Sequence, residues 1–295
     1  MMKNDTDIVI ERPQPDYPNR GKVLAVITPH LDDTPIYAAG TVAKLIAEGY
    51  TGYLIHTSND ETASHDVTIG ETICAIEIES QAVGKVLGLS KIYNLHYRNH
   101  RLDDISRIEL RSRLIFLFRL LKVNTVFSFD PWAHDEENPD HYVTSQAVEA
   151  ACWMAGGEHD YPEHFDAGLK PWAVIEKYYY SRFGHMINRV VDISSTIDIK
   201  VEALLANRTH ALNMMNSVKT QLAQQGLMLP ALNKKDDDVL REFVNITFKC
   251  RDAQVGEKYG LQYAEEYHYI GPNSPFPISP NPLGDYVRKN AIQLE

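Results

Sequence analysis

One histidine and two aspartates stand together at positions 30–33 of the sequence, directly after an apolar run. His30 and Asp33 are three residues apart across a predicted strand-to-helix turn, so both side chains can face one point and bind a divalent metal. Asp32 would then flank that metal. Zinc accepts histidine nitrogen and carboxylate oxygen as ligands, but it needs more than two of them. The segment therefore predicts part of a metal site with a free carboxylate beside it.

A third ligand is available in the segment Asn138-Pro139-Asp140-His141, where His141 falls in the first turn of a predicted helix. A site of two histidines and one aspartate leaves a coordination position open, as a catalytic zinc requires. Water bound there is acidified toward neutrality, and Asp32 can take its proton. The residues alone leave a second interpretation open, in which the aspartates only cap a helix and favour its dipole.

The segments that must position these residues alternate between strand and helix patterns. Short β-branched apolar runs at 22–30, 51–58, 91–97 and 124–130 predict buried strands, and residues with helical apolar spacing follow each run. The pattern predicts an α/β, Rossmann-like, three-layer fold with a mostly parallel sheet. Ligands bind beyond the carboxyl ends of strands in such sheets, and the polar residues above follow the first and fourth strands. Thr34, followed by Pro35, is predicted to cap the first helix.

The rest of the chain predicts a helical C-terminal elaboration and a proline-rich arm. Residues 22–270 are predicted to form one domain, with an α/β core to residue 193 and a helical part over 194–260, preceded by an N-terminal extension over 1–21. Strands are also predicted in 172–182 and 189–193, and a helix in 236–254 that turns Ile246 and Cys250 inward. Residues 271–295 are predicted to be an extended arm, which leaves open a homo-oligomer in which the arm packs on a second copy.

Composition excludes several classes of protein. The 295 residues include 29 basic and 40 acidic side chains, a net charge of −11, which argues against non-specific nucleic-acid binding. No apolar stretch approaches the ~20 residues of a membrane span, and the N-terminus lacks a signal-peptide core, so a cytoplasmic location is expected. Three separated cysteines are expected to be reduced and buried. No GxSxG, P-loop or GxGxxG motif occurs, which argues against serine hydrolases, P-loop NTPases and dinucleotide enzymes.

The two motifs together resemble the LmbE-like (PIG-L type) zinc-dependent N-acetylglucosaminyl deacetylase family, over 22–155 well and over 172–270 loosely. Residues 57–60, Glu79, residues 130–132 and residues 263–265 add to the similarity. The resemblance implies one zinc per chain with His30, Asp33 and His141 as ligands, and Asp32 as general base. It also implies a substrate, an amino sugar acetylated on nitrogen, free or within a larger glycoconjugate.

Three positions depart from the family pattern. Asn138 stands where the family has a histidine that stabilises the oxyanion, so it is the candidate for that role. Asparagine keeps a donor but carries no charge, and loss of one oxyanion donor costs ~2.7–4 kcal/mol. Asn99 and Ile76 replace an aspartate and an arginine of the substrate site. Further candidates for substrate contact are Arg98, Arg101 and His134, whereas Glu136 and Glu137 are expected to face solvent.

Several alternatives remain open at this point. The enzyme could be an amidase for another N-acyl metabolite or a thiol conjugate, or a sugar-binding relative with weakened catalysis. Cobalt, iron or manganese could replace zinc in a His/Asp/His site. An Fe(II) oxygenase is disfavoured because its double-sheet barrel does not match the alternating strand and helix pattern.

Overall fold

A computed structural model describes residues 8–64, 66–233, 238–272 and 282–292. Their strands are β1 (Val9–Glu11), β2 (Val23–Thr28), β3 (Thr51–Ser58), β4 (Lys91–Tyr97), β5 (Thr125–Phe129), β6 (Glu176–Tyr180), β7 (Arg189–Asp192) and β8 (Ala264–Ile270). These form one sheet in the order β1-β7-β8-β6-β5-β2-β3-β4. All neighbours are parallel except β8, which is antiparallel to β6 and β7. The predicted mostly parallel α/β fold is confirmed.

Helices cover both faces of this sheet. They are α1 (Asp33–Tyr37), α2 (Ala39–Ala47), α3 (Ile69–Leu87), α4 (Arg107–Leu121), α5 (Pro139–Met154), α6 (Glu163–Asp166), α7 (Ile197–Ala206), α8 (Arg208–Gln224), α9 (Val239–Val244), α10 (Cys250–Lys258) and α11 (Pro282–Asn290). Along β2, Leu24 and Val26 pack under α2, α3 and α7, whereas Ala25 and Ile27 pack under α4 and α5. Because side chains alternate along a strand, a run that is apolar throughout is buried on both faces.

The ends of α3 follow from local chemistry. The Thr68 hydroxyl accepts the Glu71 backbone N–H while the Glu71 carboxylate accepts that of Thr68, a capping box. At the other end, Gly88 adopts φ +74°, the left-handed conformation that terminates helices.

The turn after β2 differs from the prediction. Helix α1 begins at Asp33, and Ala38 separates it from α2. Thr34 does not cap α1, because its hydroxyl is buried and has no hydrogen-bond partner among the residues described. The turn is fixed instead by Asp33, whose carboxylate accepts from the His30 N–H and the Thr28 hydroxyl, both at 3.0 Å.

Two strands were not predicted. β1 comes from the N-terminal extension and pairs with β7, and β8 lies between β6 and β7. β1 is only three residues long, and β8 (AEEYHYI) carries a fully buried glutamate, Glu265, so neither has the apolar pattern of an internal strand.

The helical part also differs from the prediction in which of its residues face inward. A π-helical turn over 245–249 separates α9 from α10, and a π turn adds a residue to the helical repeat. Ile246 and Cys250 are therefore exposed and not inward as predicted. Of the three cysteines, all with free thiols, only Cys152 is buried. Cys74 lies off the buried face of α3, which is formed by Thr72, Ile76, Ser80 and Val83.

The arm is not extended throughout. Residues 282–290 form α11, which begins with Pro282 and carries Asp285 in its first turn and Arg288 and Lys289 in its last. Proline at the first position and charges that oppose the helix dipole both favour this helix. The prediction for residues 273–281 lies outside the described residues. Within the described part, no helix is both long and apolar enough to span a bilayer.

Candidate metal centre and active site

The sheet order brings the three predicted ligands together. His30 and Asp33 follow β2, and His141 lies in the first turn of α5, which follows β5, the neighbour of β2. One ligand atom from each residue lies within 4.8 Å of the others, and all three residues are buried. His30 Nδ1 faces His141 Nε2 at 3.0 Å. Asp33 lies 3.5 Å from each of these nitrogens.

The opposite nitrogen of each ring lies against a carboxylate. His30 Nε2 is 3.2 Å from Asp140, whose oxygens accept the backbone N–H groups of His100 and Leu102. His141 Nδ1 is 3.1 Å from Glu136. Metal-binding histidines in proteins are oriented in this way, with the second nitrogen held by a carboxylate. The arrangement leaves His30 Nδ1 and His141 Nε2 facing one centre, so two nitrogens and one carboxylate fit a zinc ion.

Neighbouring charged groups outweigh the effect of burial on the pKa values of Asp33 and His30. Burial alone would raise the pKa of Asp33, but the contacts with His141 and His30 outweigh it and hold the pKa below its ordinary value. Burial would lower the pKa of His30, but the contacts with Asp140 and Asp33 raise that pKa well above its ordinary value. A metal would compete with a proton at this ring.

Asp32 lies at the same cavity, which has a volume of about 380 Å³. Its carboxylate Oδ1 is 3.8 Å from His210 Nε2, and the same nitrogen is 3.5 Å from Asp60. Burial raises the pKa of Asp32; the contact with His210 opposes this and the neighbouring Asp33 adds to it. A carboxylate with a raised pKa is a stronger base at the metal edge than an ordinary aspartate.

Asn207 connects Asp32 to His210. The amide oxygen of Asn207 accepts the Asp32 backbone N–H at 2.9 Å. Its amide nitrogen donates to His210 Nδ1 at 2.9 Å and to Glu79 at 3.3 Å. This orientation is assigned from the hydrogen-bond network. Since Nδ1 then accepts, a neutral His210 carries its proton on Nε2, which points between the carboxylates of Asp32 and Asp60.

Asn138 and Asn99 also line this cavity. The Asn138 side-chain oxygen accepts the Asp140 N–H at 3.0 Å and caps α5, and its amide nitrogen has no partner within the described residues. Asn99 donates to Asp60 at 3.1 Å and accepts from Thr62 at 2.8 Å. The Asn138 side chain is thus held at its oxygen, whereas the Asn99 side chain is held at both ends of its amide.

Three further candidates do not line the metal cavity. Arg98 is paired with Glu61 at 2.8 Å, and it lies with Arg101 in an adjoining depression. His134 is exposed, and its ring packs on His185 with centroids 5.2 Å apart. Their roles in substrate binding stay predictions.

Sequence reasoning missed other residues of the site. Glu136, expected to face solvent, has a side chain that is only 7% exposed, lies against His141 and is paired with Arg182 at 3.1 Å. It stands five residues before a predicted ligand, and that proximity was the available signal. His210 and Arg251 reach the cavity from the helical part, where no local motif marks them.

Residues 25–152 match the family model described as PIG-L: GlcNAc-PI de-N-acetylase. These residues, fewer than half of the 295 in the chain, are similar to the PIG-L domain. The predicted resemblance is confirmed over the segment that contains both motifs. Because the family is one of de-N-acetylases, the match supports hydrolytic deacetylation as the general activity of the PIG-L domain.

Solved structures share the fold well beyond the PIG-L domain. An N,N'-diacetylchitobiose deacetylase from Pyrococcus horikoshii is 22% identical with a TM-score of 0.69, over 87% of this chain and 88% of that one. A conserved protein from Thermus thermophilus is 23% identical with a TM-score of 0.61, over 86% and 95%. A 4-carboxy-2-hydroxymuconate hydratase from Pseudomonas putida is 17% identical with a TM-score of 0.62, over 88% and 100%. Since a hydratase shares it, the fold alone does not select the reaction.

Proposed function

We propose that this protein is a zinc-dependent hydrolase that removes an acetyl group from the nitrogen of an amino sugar, free or within a glycoconjugate. The observation that carries the proposal is the position of Asp32. Its carboxylate, with a raised pKa, lines the same cavity as the two facing nitrogens of His30 and His141 and the Asp33 carboxylate, within the segment similar to the PIG-L domain.

His30, Asp33 and His141 would hold one zinc ion. When bound, zinc supplies a Lewis acid for the amide carbonyl and lowers the pKa of a coordinated water. Asp140 and Glu136 hold the two rings through their outer nitrogens.

Asp32 moves the proton. As general base it takes a proton from the attacking water, whose oxygen forms the new bond to the acetyl carbon. The same carboxyl then donates that proton to the sugar nitrogen as the C–N bond breaks, which leaves acetate and a free amine. Asp32 must hold the proton between the two steps, and its position at the same cavity as the predicted ligands suits it to both.

His210 positions Asp32 and Asn138 assists the carbonyl. Asn207 fixes the His210 ring so that its Nε2–H faces the Asp32 carboxylate, with Nε2 3.8 Å from Oδ1. This contact limits the directions in which Asp32 can turn. The unpartnered amide nitrogen of Asn138 donates to the oxygen that becomes negative in the transition state. Asn99 binds the sugar hydroxyls.

The experiment is acetate release from N-acetylglucosamine and N,N'-diacetylchitobiose by the zinc-loaded protein. Asp32→Asn is expected to lower kcat by about 100- to 10,000-fold, the range for loss of a general base, with zinc retained. The exposed Asp166→Asn is the matched control and should keep wild-type activity. Release of acetate from N-acetylated thiol conjugates, and not from either sugar, would assign the alternative substrate class.

The role of His210 needs its own pair of variants. His210→Gln keeps an amide N–H near the position of Nε2, whereas His210→Leu removes it. We expect the leucine variant to lose kcat by about ten-fold with KM unchanged, and the glutamine variant to recover most of that loss. Equal losses in both variants would contradict the role given to the Nε2 proton.

A further inference from the structure

Tyr37 is the last residue of α1, and it lines the metal cavity together with Asp32 and Asp33. It stands four residues after Asp33, and residues four apart share one face of a helix. Neither of the two sequence motifs includes Tyr37, and the hydrolysis described above gives it no role. Its hydroxyl is therefore a polar group of the site that still needs an explanation.

Aromatic contacts hold the Tyr37 ring in place. The ring stacks on Tyr180 with ring centres 5.2 Å apart and an angle of 4° between the planes. It also makes a T-shaped contact with Phe129 at 5.4 Å, and Phe129 in turn stacks on the predicted ligand His141 at 3.9 Å. The Arg251 guanidinium lies 5.5 Å from the centre of the Tyr37 ring. Tyr37 is thus connected to a predicted zinc ligand through one phenyl ring.

Two hydrogen bonds fix the backbone that carries this ring. The Tyr267 hydroxyl donates to the Tyr37 carbonyl at 3.3 Å, and the Arg251 guanidinium donates to the Ile36 carbonyl. Because ring and backbone are both held, the position of the Tyr37 hydroxyl is set before a substrate arrives. Donors that are fixed in advance stabilise developing charge without a cost of reorganisation.

The Tyr37 hydroxyl itself is available to a ligand. Among the described residues no group forms a hydrogen bond with it, and it is not one of their buried polar atoms without a partner, so it is open to the cavity. Burial raises the pKa of Tyr37, the Asp33 carboxylate adds to this effect, and Arg182 and Arg251 oppose it. The hydroxyl therefore stays protonated and can donate at neutral pH. Of the charged groups, Asp33 acts on it most strongly, which indicates that it lies on the side of the predicted ligands.

The acyl oxygen of the substrate needs such a donor. This oxygen gains negative charge as water adds to the amide carbon, and donors at its position lower the barrier. Asn138 offers one neutral N–H group where the family pattern has a histidine. A hydroxyl fixed at the same cavity supplies a second donor without adding a charge.

We infer that Tyr37 is a catalytic residue, whose hydroxyl donates a hydrogen bond to the acyl oxygen as that oxygen becomes negative. The inference rests on the proposed function, because it names a further group for the same hydrolysis. It makes the oxyanion site of this protein a pair of neutral donors, Tyr37 and Asn138.

The first test is Tyr37→Phe, which removes the hydroxyl and keeps the ring. We expect kcat for acetate release from N-acetylglucosamine to fall about 100-fold, as for loss of one oxyanion donor, with KM and zinc content unchanged. The urea midpoint should stay at the wild-type value, whereas loss of a structural hydrogen bond would lower it. Tyr180→Phe removes a buried hydroxyl from the neighbouring ring, outside the cavity, and should keep the wild-type kcat.

A binding measurement separates this inference from the proposed function. The probe is the methylphosphonamidate of glucosamine, whose tetrahedral anionic centre imitates the transition state. Calorimetry with the zinc-loaded proteins should show about 100-fold weaker binding of this analogue to Tyr37→Phe than to the wild type. Binding of glucosamine, which lacks the acyl oxygen, should be the same in both proteins.

The outcomes are distinguishable. An unchanged kcat in Tyr37→Phe, or an equal fall in Tyr180→Phe, would overturn the role of the Tyr37 hydroxyl and leave the hydrolase intact. A higher KM with kcat unchanged would limit Tyr37 to ground-state binding and also overturn the inference. If the wild type released no acetate but bound the analogue more tightly than Tyr37→Phe, the proposed function would fail and the donor would stand. Absence of both acetate release and analogue binding would overturn both.

Discussion

Two buried charged clusters in this protein look alike in composition and differ in what they can do. The Lys200 cluster consists of Lys200, Asp252 and Glu265, and the Lys200 ammonium lies 2.6 Å from Asp252 and 2.7 Å from Glu265. The metal-centre cluster consists of His30, Asp33 and His141. In the first, opposite charges meet directly. In the second, two ring nitrogens face each other at 3.0 Å with one carboxylate beside them.

Further contacts complete the Lys200 cluster. Glu265 also accepts the backbone N–H groups of Gly40 and Thr41 and the Thr41 hydroxyl, so it caps the first turn of α2. Burial and shifted pKa values are common to both clusters and therefore do not mark function by themselves. The distinguishing feature is a set of ligand atoms, on His30, Asp33 and His141, that face one another at a cavity and can hold a cation between them.

The largest effect is expected at the metal centre. His141→Ala should reduce zinc from one ion per folded chain to none and bring acetate release below detection, because the metal supplies several kcal/mol of transition-state stabilisation. Metal analysis and an activity assay check this. A variant that kept its zinc would remove His141 from the ligand set. Lys177→Ala, which breaks a partly buried ion pair with Glu149, is the control and should leave zinc bound.

The Lys200 cluster should respond in stability instead. Lys200→Met leaves the buried Glu265 carboxylate without its cation and Asp252 with Arg251 alone. Breaking a buried ion pair from one side typically costs about 3–5 kcal/mol of unfolding free energy. Urea denaturation measures the loss, and the folded fraction should still bind zinc. If Lys200→Met left stability unchanged but abolished zinc binding, the distinction between the two clusters would be wrong.

A smaller effect is expected at Glu136, which contacts the predicted ligand His141. Glu136→Gln removes the charge beside His141 Nδ1, and loss of such an outer partner usually weakens metal affinity about 10- to 100-fold. Competition with a chelator measures the change. Glu137→Gln, at the neighbouring exposed position, should keep the wild-type affinity.

The smallest effect is the pH dependence of stability at the Lys200 cluster. Burial would raise the pKa of Glu265, but Lys200 and Thr41 outweigh it and hold the pKa below its ordinary value of 4.5. A lowered pKa in the folded state gives stability that is present above the ordinary pKa and lost as the pH falls through the folded one. We expect Glu265→Gln to flatten the loss of stability below about pH 5 in urea denaturation. The exposed Glu257→Gln should show the wild-type slope.

Much of the architecture could be predicted from the sequence because its signals are local. The four β-branched runs became β2 to β5, and the motifs at 30–33 and 138–141 lie at the carboxyl ends of β2 and β5. β1 and β8 could not be predicted in this way. A short edge strand and a strand with a buried glutamate depend on partners that are distant in sequence, such as Arg189 for β1 and Lys200 for Glu265.

Residue types and spacing by themselves determined the parallel sheet, the sheet edge at which a ligand site is expected, and the candidates His30, Asp32, Asp33 and His141. Those features depend on strand alternation and on turns of a few residues. Only the tertiary structure decided that Glu136 lies against His141 and that His210 from α8 faces Asp32. The reason is physical: these contacts join elements far apart in the chain, and packing of the helical part against the sheet sets them.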